Sequence, residues 1–341
     1  MSAQHKPVII WLFIGAIMVF IMIAIGGITR LTSSGLSMVD WNLIMGSIPP
    51  LSEEAWQSTF EEYQKFPEYQ TIHNHFTLED FKGIFFWEFT HRLFGRLIGI
   101  VFIIPFFIFL KKGLIKGTLL KQLLILLSFG AFQGFLGWYM VSSGLVHEPR
   151  VSHFRLAAHL STAFFTIAYS VWIALDLIQG RSKGIVIPKS LQSLSWVTLI
   201  LLAIQIIFGA FVAGKDAGLI HNFWPNMNPN EFISNEVFAG SSLLDSFINV
   251  PSGIQFVHRY LAYIVVGFVT FLWFKSRKVM DKETSKRFNI AMLIVGLQFV
   301  LGVATLLLHV PLVIALLHQL GAILLLLSMV YILHRISAIS K

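Results

Sequence analysis

The sequence predicts an all-α polytopic membrane protein whose eight transmembrane helices form two pseudo-symmetric four-helix bundles, related as parallel repeats. Three observations lead to this fold class. Hydrophobic residues make up 56% of the 341 residues and charged residues only 12%, whereas soluble domains are about 25% charged. Eight apolar runs are each long enough to cross a bilayer, for which about 20 residues suffice. Residues of the first half also recur, in the same order, in the second half.

The predicted spans are joined by short connections, except that long loops follow the first and the fifth span. The first apolar run is too long for a signal peptide and lacks a small-residue cleavage site, so we expect it to be retained as a span. The predicted limits are 8–29, 83–110, 120–142, 154–178, 192–213, 253–274, 288–308 and 312–333.

Lysine and arginine are concentrated at the termini and in the connections after the second, fourth and sixth spans. By the positive-inside rule, these segments and both termini are predicted to be cytoplasmic, and both long loops face outward. The net charge of +8 is therefore assigned to the cytoplasmic membrane face and not to nucleic-acid binding.

An internal repeat divides the chain. An even number of spans in each half keeps the two copies in the same orientation, so the repeat is predicted to be parallel. We expect an N-terminal bundle in 1–180 with an outer loop 30–82, and a C-terminal bundle in 181–341 with an outer loop 214–251. The matching residues are Gly26, Gly35, Leu36 and Trp41 with Gly209, Gly218, Leu219 and Trp224; Phe89 to Arg92 with Phe256 to Arg259; Gln133, Leu136 and Gly137 with Gln298, Leu301 and Gly302; and His159 with His318.

Four histidines, one in each even-numbered span, are predicted to bind a metal: His91, His159, His258 and His318. Each follows the start of its span by a similar distance, which places all four at one depth in the outer leaflet. A single buried histidine is more often a core residue, but two per repeat at matched depth favour ligation. The chain has no cysteine, which excludes thiolate ligands. Zinc sites use three or four protein ligands, whereas two imidazoles from facing helices suit the axial positions of haem iron.

Glu88 is the predicted catalytic residue. It lies one helical turn before His91, and the second half carries Gln255 at the matching place before His258. The half with the ionisable group is therefore the expected reaction chamber, where the carboxylate acts as a general base or stabilises developing positive charge. The alternative left open is that Glu88 pairs with an arginine; the candidates are Arg92, Arg96 and Arg30.

Arginines near the outer ends of spans suit the carboxylates of haem propionates, because a planar guanidinium binds a carboxylate through two parallel hydrogen bonds. Arg30 and Arg92 are the first candidates. Arg150 and Arg155 are further ones, with snorkelling at helix ends as the alternative. The other outer histidines (His73, His75, His147, His153, His221 and His309) are expected to be solvated or structural, and His5 and His334 lie at cytoplasmic ends.

These residues resemble the haem A synthase family, the membrane enzymes that oxidise haem O to haem A for cytochrome oxidases. The resemblance rests on the run from Gly26 to Ser37, on Trp41 and Pro49-Pro50, and on the motif from Phe81 through Glu88 to Gly95-Arg96. Some family members carry cysteine pairs in the outer loops, but this chain has none. Its first outer loop must therefore be ordered by packing alone.

The resemblance implies a division of labour between the bundles. The C-terminal bundle would bind haem b as an electron-transfer cofactor through His258 and His318. The N-terminal bundle would bind haem O through His91 and His159 and oxidise its C8 methyl to a formyl by successive hydroxylations, with Glu88 catalytic. The implied surroundings are a bacterial cytoplasmic membrane and its lipid. The implied partners are haem O synthase, terminal oxidase assembly factors, an unidentified electron acceptor and a second copy of the chain.

Three other functions remain open from the sequence. A diheme membrane cytochrome b would carry electrons to or from quinone, although no span holds the histidine pair that such cytochromes commonly place on one helix. A haem carrier or assembly chaperone would bind haem without chemistry and would not need Glu88. A transporter would not need four histidines at one depth.

Overall fold

The computed structural model describes residues 3–38, 46, 48–144, 150–179, 188–277 and 282–339. Within these residues the secondary structure is helical and no strand forms. Trp41 and His147 lie outside them. The α-helices are α1 Lys6–Leu31, α2 Glu53–Tyr63, α3 Pro67–Thr71, α4 Leu78–Lys111, α5 Gly117–Gly144, α6 His153–Gln179, α7 Lys189–Gly214, α8 Leu243–Asn249, α9 Pro251–Ser276, α10 Lys282–Leu307 and α11 Leu312–Ile339.

Eight of these helices are long and apolar enough to cross a membrane: α1, α4, α5, α6, α7, α9, α10 and α11. They coincide with the eight predicted spans, which confirms the all-α membrane fold. Most of these helices begin or end a few residues beyond the predicted limits, because local signals such as capping residues extend them. For α4, the Thr77 side chain accepts from the Asp80 backbone N–H, and the Asp80 carboxylate accepts from the Thr77 backbone N–H. This capping box satisfies backbone donors at the helix start and places it before residue 83.

The predicted first outer loop, 30–82, contains α2 and α3, which pack on the N-terminal end of α4 through aromatic side chains. Tyr63 stacks on Phe81 with ring centres 5.1 Å apart, and Trp56 meets Phe85 edge-on at 5.0 Å. Phe60, Tyr63, Phe81 and Phe85 are all buried there. Aromatic pairs of this kind add stabilisation beyond the area that they bury. The loop therefore has its own hydrophobic core, which packs against the N-terminal part of α4.

The chain divides into two compact units. The first, the N-terminal unit, runs from Ile14 to Ala163. The second, the C-terminal unit, combines the segment up to Phe13 with the segment from Phe164 onward. In the second unit α7, α9, α10 and α11 pack in a closed ring, with α7 against both α9 and α11. This is a four-helix bundle, an architecture that builds cofactor sites between facing helices. The predicted boundary between 180 and 181 lies outside the described residues, and the parallel repeat stays a prediction.

Candidate functional site

His258 on α9 and His318 on α11 face each other in the C-terminal unit. Their ring centres are 6.4 Å apart and their planes are nearly perpendicular, at 87°. Two metal–nitrogen bonds of about 2.0 Å, together with the roughly 1.1 Å from each nitrogen to its ring centre, would separate the centres by about 6.2 Å. The observed spacing therefore fits two imidazoles that bind one metal ion from opposite sides.

Two glycines let these rings approach the neighbouring helices. A Cβ atom at Gly209 of α7 would lie 3.2 Å from Cε1 of His258, and one at Gly302 of α10 would lie 2.8 Å from Cε1 of His318. Protein interiors tolerate little overlap of this kind, so a larger residue at either position would push the ring aside. Gly209 and Gly302 were found in the sequence as repeated residues, and the structure gives them a steric role.

Two glutamine residues contact the Nδ1 atoms of the same two rings. Nδ1 of His318 lies 3.2 Å from the backbone carbonyl of Gln298, and Nδ1 of His258 lies 3.2 Å from the side-chain nitrogen of Gln205. The same side chains donate to the backbone carbonyls of His258 and His318. No described residue hydrogen-bonds Nε2 of either ring. Metal-binding histidines typically use one nitrogen for the metal and the other for such a partner.

The N-terminal unit carries His91 on α4 and His159 on α6. A Cβ at Gly26 of α1 would lie 3.0 Å from Cε1 of His91, which repeats the contact between Gly209 and His258. Gln133 donates to the backbone carbonyl of His159 at 3.1 Å. The Nδ1 atoms of His91 and His159 are buried and have no hydrogen-bond partner within the described part of the chain.

Glu88 is buried in the N-terminal third of α4 and accepts three hydrogen bonds. Its Oε1 lies 2.6 Å from Nη2 of Arg92, one turn further along the helix. Its Oε2 accepts from the Ser37 hydroxyl at 2.8 Å and from the Met38 backbone N–H at 2.7 Å. Of the three arginines proposed from sequence, the structure pairs Glu88 with Arg92. A carboxylate has about four lone-pair sites, so these three bonds fix the group and leave one site for a substrate.

The matching pair in the C-terminal unit is Gln255 and Arg259, in which a neutral amide stands in place of the carboxylate. Arg259 donates to Gln255 Oε1 at 3.4 Å and to the backbone carbonyl of His221 at 2.9 Å. Arg92 makes the equivalent bond, at 2.7 Å, to the carbonyl of Met38. Both pairs therefore tie an even-numbered span to the loop after the preceding span, and the first pair alone supplies a carboxylate.

The arginines predicted to bind propionates differ from one another in the contacts that they make. Arg92 is bound to Glu88 and Met38 as described, and Arg30 lies in the last turn of α1. Arg155 donates to the Tyr139 carbonyl at 2.6 Å and lies over the Tyr139 ring. Propionate binding by Arg30 and Arg92 stays a prediction, while the contacts of Arg155 favour its alternative role at a helix end.

Sequence reasoning overlooked the contacts of several residues in and outside the site. The Ser37 hydroxyl and the Met38 backbone N–H donate to Glu88, but no local sequence pattern predicts this contact. Gln205 is the one strongly polar residue in the stretch 199–213, and the only signal was that an amide there needs a partner. His334 was assigned no role, yet it is buried and its Nε2 lies 2.9 Å from a carboxylate oxygen of Asp176.

The sequence matches the family model of cytochrome oxidase assembly proteins (COX15-CtaA) over residues 9–330. A Flavobacterium johnsoniae protein named Heme A synthase is 51% identical over 342 residues, covering 99% of this chain and 100% of the relative. A protein of the same name from Nitrosospira multiformis is 40% identical and covers 98% of this chain and 94% of the relative. One from Wolbachia pipientis is also 40% identical, covering 97% and 93%.

Proposed function

The chain belongs to the cytochrome oxidase assembly protein family of haem A synthases, and we propose that its two units divide the reaction between a substrate site and a cofactor site. The protein is an oxidoreductase of haem A biosynthesis that oxidises haem O to haem A. In the proposed division, the N-terminal unit binds haem O and the C-terminal unit binds haem b. The C8 methyl of haem O is converted to a formyl.

The C-terminal assignment rests on the 6.4 Å spacing of the His258 and His318 rings. Among the described residues, no group of three or more His, Asp or Glu side chains is arranged to hold a metal ion. Two imidazoles are therefore the ligand set available, and this set fits haem iron better than zinc. When bound, haem b supplies one-electron transfer. The chain's own contribution is to hold both rings against Gly209 and Gly302 and to orient their Nδ1 atoms.

The N-terminal assignment rests on the carboxylate beside the histidine pair. Haem O has a long farnesyl tail, so an apolar chamber inside the membrane is a suitable place to bind it. His91 and His159 are proposed to bind the iron of haem O. Their rings come from α4 and α6, and His91 is pressed against Gly26. Because haem O is the substrate, this site must also release haem A.

Glu88 is proposed to act on the reacting edge of the substrate. Its ion pair with Arg92 and its bonds to Ser37 and Met38 fix a negative charge one turn from His91. A fixed charge of this kind stabilises the positive charge that develops when electrons leave a methyl carbon. The lone-pair site that these bonds leave open is available to accept a proton. Gln255, in the matching position, offers neither the charge nor the basicity.

The protein is a multi-pass membrane protein. We assign it to the bacterial cytoplasmic membrane with both termini cytoplasmic, which places both long loops and the four histidines toward the outer face. Haem O is the proposed substrate of the N-terminal site. Haem O synthase, oxidase assembly factors, an electron acceptor and further copies of the chain are the proposed partners.

Haem analysis of the purified protein tests the proposal. The wild type and Glu88→Ala are expressed together with a haem O synthase, and their haems are extracted and separated. We expect haem A from the wild type, and haem b without haem A from Glu88→Ala. Glu79→Ala, which removes an exposed carboxylate of the same helix, is the matched control and should form haem A normally.

Two outcomes would overturn the proposal. If the wild type yields haem b but never haem A or a hydroxylated precursor, the protein is an electron carrier. If Glu88→Ala forms haem A at the wild-type level, Glu88 is a structural residue and the catalytic assignment is wrong. His258→Ala and His318→Ala should separately deplete haem b, whereas His91→Ala and His159→Ala should impair conversion and leave haem b bound.

A further inference from the structure

The four site histidines differ in how their Nδ1 atoms are held. In the C-terminal unit, Nδ1 of His258 contacts Gln205 and Nδ1 of His318 contacts the Gln298 carbonyl, each at 3.2 Å. In the N-terminal unit, Nδ1 of His91 and of His159 is buried without a partner in the described part of the chain. The rings of one unit are therefore fixed by hydrogen bonds, and those of the other by packing alone.

One substitution between the halves accounts for the difference at the first histidine of each pair. Gly26 and Gly209 press on the rings of His91 and His258 in the same way. One turn before each glycine, the first half has Met22 where the second half has Gln205. Met22 reaches the same helix as His91, since a Cβ at Gly95 would lie 3.3 Å from its terminal methyl. A thioether has no hydrogen to donate and is a weak acceptor.

We infer that Gln205 is a positioning residue that makes haem binding at His258 permanent, and that Met22 in its place keeps His91 releasable from the substrate's iron. The inference rests on the proposed function. A hydrogen bond to the second nitrogen fixes the ring orientation and tautomer of a metal-binding histidine, and its loss typically costs about 10–100-fold in affinity. The cofactor stays through many turnovers, whereas haem O must enter and haem A must leave in each one.

The contacts of Gln205 allow this role. When Nε2 of His258 binds a metal, Nδ1 carries the proton and needs an acceptor. Oε1 of Gln205 is buried and has no partner among the described residues. A rotation of the amide by half a turn exchanges its nitrogen and oxygen and brings this oxygen to Nδ1 as the acceptor, in exchange for the bond that the nitrogen donates to the His258 backbone carbonyl. For His318 the Gln298 carbonyl serves as the acceptor without any rotation.

The first test removes the amide from the C-terminal site. Gln205→Met is compared with Ile204→Met, a control at the neighbouring, more exposed position on α7. The measurements are the rate at which haem b passes from the purified protein to apomyoglobin, and the midpoint potential of that haem. We expect Gln205→Met to lose haem about 10–100-fold faster and to change its potential. Gln205→Glu, which keeps an oxygen acceptor of the same length, should restore slow loss, and Ile204→Met should match the wild type.

The second test installs the amide in the N-terminal site. Met22→Gln is compared with Ile21→Met, a control at an exposed position on α1. We expect Met22→Gln to retain haem A after turnover and to release it about 10–100-fold more slowly, with its haem b unaffected. If Gln205→Met fails to fold, Met22→Gln still tests whether an amide at this position slows the release of haem.

The outcomes separate this inference from the proposed function. If the wild type forms no haem A, the proposed function fails whatever the variants do. If the wild type forms haem A but Gln205→Met loses haem b at the wild-type rate and potential, the positioning role of Gln205 is overturned. If Met22→Gln releases haem A as fast as the wild type, the explanation for a releasable His91 is overturned.

Discussion

Nη2 of Arg92 lies 2.6 Å from Oε1 of Glu88, and both side chains are almost completely buried. Ion pairs at this spacing on an exposed helix surface contribute little. Here both groups are removed from solvent, so either one without the other would leave an uncompensated charge. On the proposed function the pair has two roles: Arg92 compensates the buried charge of the carboxylate in the folded protein, and Glu88 supplies the charge for the reaction.

A double-mutant comparison separates these roles. Arg92→Gln should lower the free energy of unfolding by about 3–5 kcal/mol, because it strands the Glu88 charge. Glu88→Gln combined with Arg92→Gln should recover most of that stability, because both charges are gone. The double variant, which lacks the carboxylate, should form no haem A. Thermal unfolding and haem extraction are measured on the same preparations, and equal stability of the single and double variants would contradict the assignment of the pair.

The spacing of the C-terminal rings predicts the effect of a methyl group at Gly302. Gly302→Ala would place that methyl 2.8 Å from Cε1 of His318, so the ring must move although both histidines remain. We expect haem b per protein to fall severalfold, measured by the absorbance of the reduced haem. Gly296→Ala on the same helix is the control, because a Cβ there meets nothing within 4 Å. Equal loss of haem b in both variants would show that helix α10 as a whole, and not the ring contact, is responsible.

The N-terminal site offers the same comparison with a different expected result. Gly26→Ala would bring a methyl to 3.0 Å from Cε1 of His91, whereas a Cβ at Gly15 on the same helix meets nothing within 4 Å. Gly26→Ala should reduce haem A formation about 10-fold or more, corresponding to at least about 1.4 kcal/mol of transition-state stabilisation, and should leave haem b bound. Gly15→Ala should retain activity. Loss of haem b in Gly26→Ala would contradict the division between the two units.

The spans were predictable, and the depth of the candidate histidines along them could be estimated, because both signals are local. A run of about 20 apolar residues identifies a span without knowledge of its neighbours. The depth of His91 or His318 follows from counting residues along one helix. The internal repeat added a comparison within the chain, and it singled out Glu88 against Gln255.

The rest depends on which segments meet in space. The carboxylate of Glu88 had three candidate arginines, and only the packed structure selects Arg92. Its other partners, Ser37 and Met38, come from the preceding loop, and the pattern of that loop contains no trace of the contact. The pairing of His334 with Asp176 joins residues 158 positions apart in the chain, beyond the reach of any local pattern. The helices of the first outer loop were likewise expected only as an ordered loop, because aromatic packing across α2, α3 and α4 defines them.

That outer loop contains a buried polar cluster which makes its stability dependent on pH. The Tyr63 hydroxyl lies 3.0 Å from Oε2 of Glu68 and 2.7 Å from Nδ1 of His73. Burial raises the pKa of Glu68 to about 8, and the nearby charge of Glu88 adds to the effect, although the bond from Tyr63 opposes it. Burial also raises the pKa of Tyr63 and lowers the pKa of His73. At neutral pH the cluster is therefore expected to hold a protonated Glu68 and a neutral His73.

The sign of the pH dependence follows from proton counting. Between the ordinary pKa of Glu68, 4.5, and its folded value of about 8, the folded loop binds a proton that the unfolded loop does not. This proton makes the stability contributed by Glu68 fall as pH rises through the window and level off above about pH 8. His73, whose folded pKa is lowered, contributes the opposite trend below its ordinary pKa of 6.5, so the loop as a whole is expected to lose stability between about pH 6.5 and pH 8. Glu68→Gln removes the titrating group and keeps a neutral side chain of similar shape, so it should flatten the dependence and exceed the wild type in stability above pH 8. The fluorescence of Trp56 during thermal unfolding, or protease cleavage within 48–77, reports on the loop. Glu62→Gln, on an exposed position of α2, is the control, and a wild-type loop whose stability rises between pH 6.5, the ordinary pKa of His73, and pH 8 would contradict the assignment.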